Sequence, residues 1–339
     1  MGNSITRCIG CALVALCALA WSVTAPAQTL NAYSIWPENW AKPMFEEFEK
    51  ATGIKVTFVR FSSGEALARV IAEKGNPRVD VLFGGPVETF AAGVSEGVFE
   101  SYKPPSFAKL PARFRQADGQ WIAIADDPLV FMTNAKFLTE NNLKAPASWN
   151  DLLAPQYKNM LQMADARTSG TAITRIFSIL EVNGRDENKA FDYMKKLRPN
   201  VQLYTKSGGG GALPVGLQQA GGGIFFIVDA LDTKAKGYDV VISFPKEGIG
   251  TAAEGIALIK GAKNPALGKK LIDWATSPAM QNQFAKYKIN FVPAHPDVAV
   301  EPSLAAVLKG ANIFAIDAAY AGANRKKIVD RWVAEVLNP

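Results

Sequence analysis

Residues 30–83 alternate between strand-like and helix-like patterns, and that alternation limits the fold more than any other feature of the chain. Residues 30–34 read as a short strand, with a loop at 35–38. A helix follows with Pro43 in its first turn, Met44, Phe45 and Phe48 on its inner face, and Gly53 at its end. Residues 54–61 alternate with β-branched side chains as a second strand. Ser63 caps a helix carrying Ala66, Leu67, Val70 and Ile71, which Gly75 ends. Residues 80–83 are a third, buried strand running into Gly84 and Gly85. Strand, helix, strand, helix, strand predicts an α/β unit on a parallel sheet.

In open α/β sheets ligands bind beyond the C-terminal ends of the strands. Three loops leave such ends here and bring candidate binding residues to one edge: Ser34 and Trp36, then Ser62, Ser63 and Gly64, then Gly85. Each loop taken singly is also ordinary turn chemistry. Three on one edge point to a site.

The stretch Asp165-Ala166-Arg167-Thr168-Ser169-Gly170-Thr171 precedes Ile173, Ile176, Phe177 and Leu180 at one-face helical spacing. A helix therefore starts close to Ser169. Small residues at its start leave first-turn N–H groups uncovered, which with the positive end of the helix dipole suits an anion. An ordinary N-cap is the other reading. Arg167 is unfavourable there unless an anion or an acidic side chain offsets it.

Residues 121–134 form the first crossing between two lobes, and Ser148 caps the start of a second α/β unit. A helix at 191–197 and a strand at 201–204 lead to Ser207, Gly208 and a helix around 213–220. Residues 223–228 read as a buried strand ending at Asp229, and 255–259 return to the first lobe just after Glu254. Asp229 and Glu254 are candidates for a ligand's hydroxyls or ammonium, or else surface and hinge carboxylates. Trp36 and Tyr204 are candidate pocket walls or core.

Residues 1–27 read as a signal peptide: Arg7, an apolar run, and the small-x-small tripeptide Ala25-Pro26-Ala27. All three cysteines lie inside it, so the mature chain has no disulfide framework and stands on its core. The net charge of +6 is scattered, which gives no nucleic-acid footprint. One histidine, His295, leaves Ser-His-Asp and His-based metal schemes without partners. The glycine run 208–211 has no following Lys-Ser/Thr, so it is no P-loop.

The motifs at 46–56, Ser62-Ser63-Gly64-Glu65, 80–85, 167–171, 204–208 and 258–265 together resemble the periplasmic solute-binding proteins of ABC importers. The similarity is to the branch that holds ferric-ion, sugar-phosphate and aminoethylphosphonate binders. It implies an α/β, type II fold of two lobes, each a mostly parallel sheet flanked by helices, joined by a hinge. The expected division is 28–125 with 255–305, and 126–254 with 306–339. It further implies a monomer that delivers its ligand to an inner-membrane permease and is not an enzyme. Ferric binders of this branch typically use an adjacent tyrosine pair, and Tyr204 stands alone here. The expectation is therefore a small anionic ligand, phosphorylated or a phosphonate, with no cofactor, metal or nucleic acid. A ferric binder and a secreted enzyme acting on a phosphorylated substrate are the rivals.

Overall fold

The first sheet forms as the 30–83 pattern requires. β1 (Thr29–Ser34) pairs in parallel with β2 (Lys55–Arg60) on one side and β3 (Val81–Pro86) on the other. The connections are α1 (Glu38–Thr52) and α2 (Ser63–Ala72), and α3 (Val87–Ser95) follows β3 directly. The computed structural model describes residues 28–338, and the expected signal peptide with its three cysteines lies outside the described residues.

Two of the expected boundaries shift. α1 starts at Glu38, so Pro43 lies inside it rather than in the first turn. The backbone carbonyl that Pro43 leaves without a partner belongs to exposed Asn39, where water can serve it. Ser62, not Ser63, is the N-cap of α2, in a capping box with Glu65.

After β4 (Phe99–Glu100), the long strand β5 (Ile122–Asn134) joins two sheets. Residues 122–128 pair with β10 (Ile249–Ile259), and residues 129–133 pair with β8 (Gly222–Phe226). The second sheet continues through β6 (Leu161–Ala164) to β7 (Val201–Thr205), with β9 (Val240–Ser243) on the other side of β5. Its helices are α4 (Ala135–Glu140), α5 (Gly170–Val182), α6 (Glu187–Leu197), α7 (Ala212–Gly216) and α8 (Ile227–Ala235). α9 (Pro265–Ala275) then packs back on β10. The result is a type II binding-protein fold of two lobes.

β8 ends at Phe226, three residues before the expected strand end. Asp127 Oδ1 accepts the Val228 N–H at 3.4 Å, which favours a helix start at this point. Asp229 thus belongs to the first turn of α8 instead of following a strand. β10 is also longer than expected and carries a bulge at Glu254 and Gly255. Among the described residues no helix is long and apolar enough to cross a membrane.

Candidate ligand-binding site

α5 opens with Gly170, and Ser169 is its N-cap in extended backbone. Ile173, Ile176, Phe177 and Leu180 behind it are buried at their helical spacing. Asp165 accepts the Arg167 guanidinium at 2.6 Å, and so offsets the cation beside the positive helix end. The Ser169 N–H donates to the Asp165 carbonyl at 2.9 Å. Those of Gly170 and Thr171 have no intrahelical partner. Ser169 is 2% exposed and its Oγ has no hydrogen-bond partner. A buried hydroxyl beside two first-turn N–H groups is a donor set suited to an anion.

Ser169, Gly170 and Thr171 line one cavity, and Ser62, Ser63 and Arg60 face it from the first lobe. Arg60 ends β2, with Nη1 3.4 Å from Ser62 Oγ. Counting the solvent-open space at its mouth, the cavity is about 460 Å³. That lies within the roughly 300–1,000 Å³ of small-molecule sites.

Three carboxyls share this cavity. Glu254 on β10 accepts the Trp36 Nε1–H and the Gly85 N–H, each at 2.6 Å. Burial pushes its pKa up to about 8 against those two bonds, with Glu88 and Asp126 adding to the rise. Burial also pushes Asp229 up to about 7; Asp232 adds, while Arg60 and Lys236 oppose. Asp127 is 1% exposed, and burial, then Glu254 and Asp229, hold its carboxyl well above the ordinary range. Trp36 stacks on Phe291 at 4.5 Å, and with Trp40 and Phe226 these rings form an apolar wall.

Contacts between the lobes close over the cavity. The Gly64 N–H donates to the Thr168 carbonyl at 2.8 Å. Only a glycine fits at 64, since a Cβ would lie 2.5 Å from the Arg167 carbonyl oxygen. Gly170 likewise abuts Ser63 and Pro86. At the rim Lys206 pairs with Glu65 at 2.7 Å, with side chains 69% and 35% exposed. Such an exposed pair contributes roughly 0–1 kcal/mol. Lys206→Ala is therefore expected to change ligand affinity by less than about fivefold in calorimetry; a larger loss would make this pair a main closure contact.

Of the residues singled out in the sequence, Trp36, Ser62, Ser63, Gly85, Ser169, Gly170, Thr171, Gly208, Asp229 and Glu254 line this cavity. Four others lie elsewhere. Ser34 donates to the Trp36 carbonyl at 3.0 Å and shapes the loop from beneath. Gly64 is committed to Thr168 and lines a neighbouring groove. Tyr204 packs edge-on against Trp332, with ring centroids 4.9 Å apart. Ser207 caps the short Gly208–Gly211 turn, its carbonyl accepting from Thr205 Oγ1 at 2.9 Å. His295 is buried outside the cavity, its Nδ1 accepting the Asp297 N–H at 3.2 Å.

Sequence reasoning passed over Arg60, Asp127, Trp40, Phe226 and Phe291, all of which line the cavity. Arg60 was within reach of the strand-end rule that found Ser62. The pair Asp126 and Asp127, set inside an otherwise apolar strand, is itself a signal, because burying acids needs a reason.

The profile of a family described as bacterial extracellular solute-binding protein matches residues 43–309. An uncharacterised protein of Haemophilus influenzae is 30% identical over an alignment of 349 positions, spanning 98% of each chain. A probable ABC transporter periplasmic-binding protein of Sinorhizobium fredii is 25% identical, over 87% of this chain and 82% of its own. Among solved structures, the periplasmic binding protein AfuA from Actinobacillus pleuropneumoniae, with fructose-6-phosphate bound, aligns with a TM-score of 0.87. It is 28% identical and covers 92% of this chain and 99% of its own.

Proposed function

Because the chain belongs to the bacterial extracellular solute-binding protein family, and its relatives are binding components of ABC importers, we propose that its cleft captures a small organic phosphate or phosphonate for delivery to a permease. The observation that carries this proposal is the buried, unpartnered Ser169 hydroxyl at the N-terminus of α5. A bound fructose-6-phosphate in a relative of the same fold supports it. The N–H groups of Gly170 and Thr171, with the Ser169 and Thr171 hydroxyls, take the phosphate oxygens, and Ser63 and Arg60 reach them from across the cleft. Fixed donors of this kind need little ordering when the ligand arrives. Asp229 and Glu254 meet the rest of the ligand. The lobes, 28–125 with 255–305 and 126–254 with 306–339, close about the crossings near Asp126 and Glu254.

Calorimetry on sugar phosphates, phosphonates and their uncharged analogues tests this. A hydrogen bond to a charged group contributes about 1.5–3 kcal/mol. Ser169→Ala and Thr171→Ala are each expected to weaken binding of the phosphorylated ligand about tenfold or more, with the protein still folded. An uncharged analogue that binds as well as its phosphate, or ferric ion bound in preference to both, would refute the proposal. Turnover of the bound phosphate would favour the enzyme rival.

A further inference from the structure

The charged residues lining the cavity are Asp127, Asp229, Glu254 and Arg60. Three carboxyls against one guanidinium is a poor setting for a phosphate, which brings about −1.5 to −2 of its own at neutral pH. Buried charge of one sign is tolerated only when it is paired or neutralised. Asp127 and Glu254 are 1% and 3% exposed, so solvent does little of that work. Nor are they paired with side-chain cations: Glu254 accepts from Trp36 and Gly85, and Asp127 from a backbone N–H.

From this geometry we infer that the ligand is a zwitterion, with a phosphate or phosphonate held at the α5 N-terminus and a cationic nitrogen held by Asp127, Asp229 and Glu254. Asp127 is then the residue that selects an amine over a hydroxyl. This rests on the phosphate site proposed above and adds the chemistry of the other group.

The alternative is a neutral polyol phosphate facing carboxylic acids that have taken up protons. In an open, hydrated cleft these groups ionise near their ordinary values of about 4. Closing on a hydroxyl at pH 7 either takes up protons some three units above that value, each unit a factor of ten, or leaves ionised carboxylates that accept the hydroxyl's hydrogen bond with their charge uncompensated. Closing on an ammonium requires no proton, because the ligand supplies the positive charge. The elevated pKa values of Glu254 and Asp229 measure how strongly the closed cavity favours a proton, or another cation, beside them. The wall of Trp36, Phe226 and Phe291 suits an organic cation as well.

Two matched pairs test this by calorimetry at pH 7.5 (the value is a choice of condition) on the full mature protein: 2-aminoethyl phosphate against 2-hydroxyethyl phosphate, and glucosamine 6-phosphate against glucose 6-phosphate. The amino member of a pair is expected to bind at least tenfold tighter. Asp127→Asn is expected to shrink that ratio below about threefold, with thermal unfolding confirming that the variant folds. Equal binding of the two members overturns the zwitterion and leaves the phosphate site standing. Ethanolamine binding as tightly as 2-aminoethyl phosphate overturns the phosphate site instead. Failure of all four phosphates to bind overturns both. The comparison on the unsubstituted protein decides the matter even if Asp127→Asn does not fold.

Discussion

Gly64→Ala is expected to weaken ligand binding by about fivefold to a hundredfold while leaving the protein folded and no less stable when open. Gly64 does not line the cavity, so the loss would come through closure. A Cβ at this position would meet the Arg167 carbonyl oxygen at 2.5 Å and the Thr168 Cα at 3.1 Å, both backbone atoms of the other lobe. Backbone cannot turn aside as a rotamer can, and overpacking of this kind costs about 1–3 kcal/mol. Within its own lobe the change is favourable, since alanine in a helix is better than glycine by roughly 0.5–1 kcal/mol. Calorimetry paired with thermal unfolding separates the two effects. Unchanged affinity in a folded variant would show that binding does not require this close approach.

The second large effect expected is on ligand-free closure as a function of pH. In the closed cleft Glu254 has its pKa raised to about 8 and Asp229 to about 7. The groups facing Glu254 are Glu88, Asp126 and Asp127, and those facing Asp229 are Asp127, Asp232, Arg60 and Lys236. Opening that rehydrates these carboxyls lowers both values toward the ordinary range. The closed form therefore binds more protons than the open one. Its stability relative to the open form is greatest below about pH 4.5, falls as pH rises, and the penalty is complete above the raised values near 7 and 8. Each unit by which opening lowers Glu254 or Asp229 contributes about 1.4 kcal/mol to the balance across this window. Small-angle scattering of the ligand-free protein should give a compact particle near pH 5 and a more extended one near pH 8.5, both values chosen to bracket the window. An identical radius of gyration at the two values would mean that closure does not desolvate these carboxyls.

Much of the fold was legible because the helices and strands of residues 29–86 carry their own periodicity. The α5 N-terminus was legible for the same reason: a buried face at regular spacing locates the turn before it, and Ser169 with it. Asp229 was found with the wrong local structure, since the apolar run Gly222–Phe226 does not reveal where strand passes into helix. That boundary is set by Asp127, distant in sequence, capping α8. Tyr204 was misplaced because an aromatic after a strand reads the same whether it faces a cleft or, as here, Trp332. Phe291 stacks on Trp36 across 255 positions of chain (291 minus 36), a pairing no local pattern encodes.

The interleaving of the two lobes has a consequence for the order in which the chain can assemble. β3 is flanked by β1 on one side and by β10 on the other, and β10 comprises residues 249–259. Until that late segment is made, β3 presents a row of unpaired backbone groups, an edge that invites wrong partners. The first lobe therefore cannot mature ahead of the second during synthesis, because it borrows its central strand from beyond it, whereas the strands of the second sheet are all made by residue 243. Long-range pairing of this kind slows folding, since distant segments must meet before any of the pairing is rewarded. The topology that joins the lobes at a hinge thereby makes the sheet that begins first the one completed last.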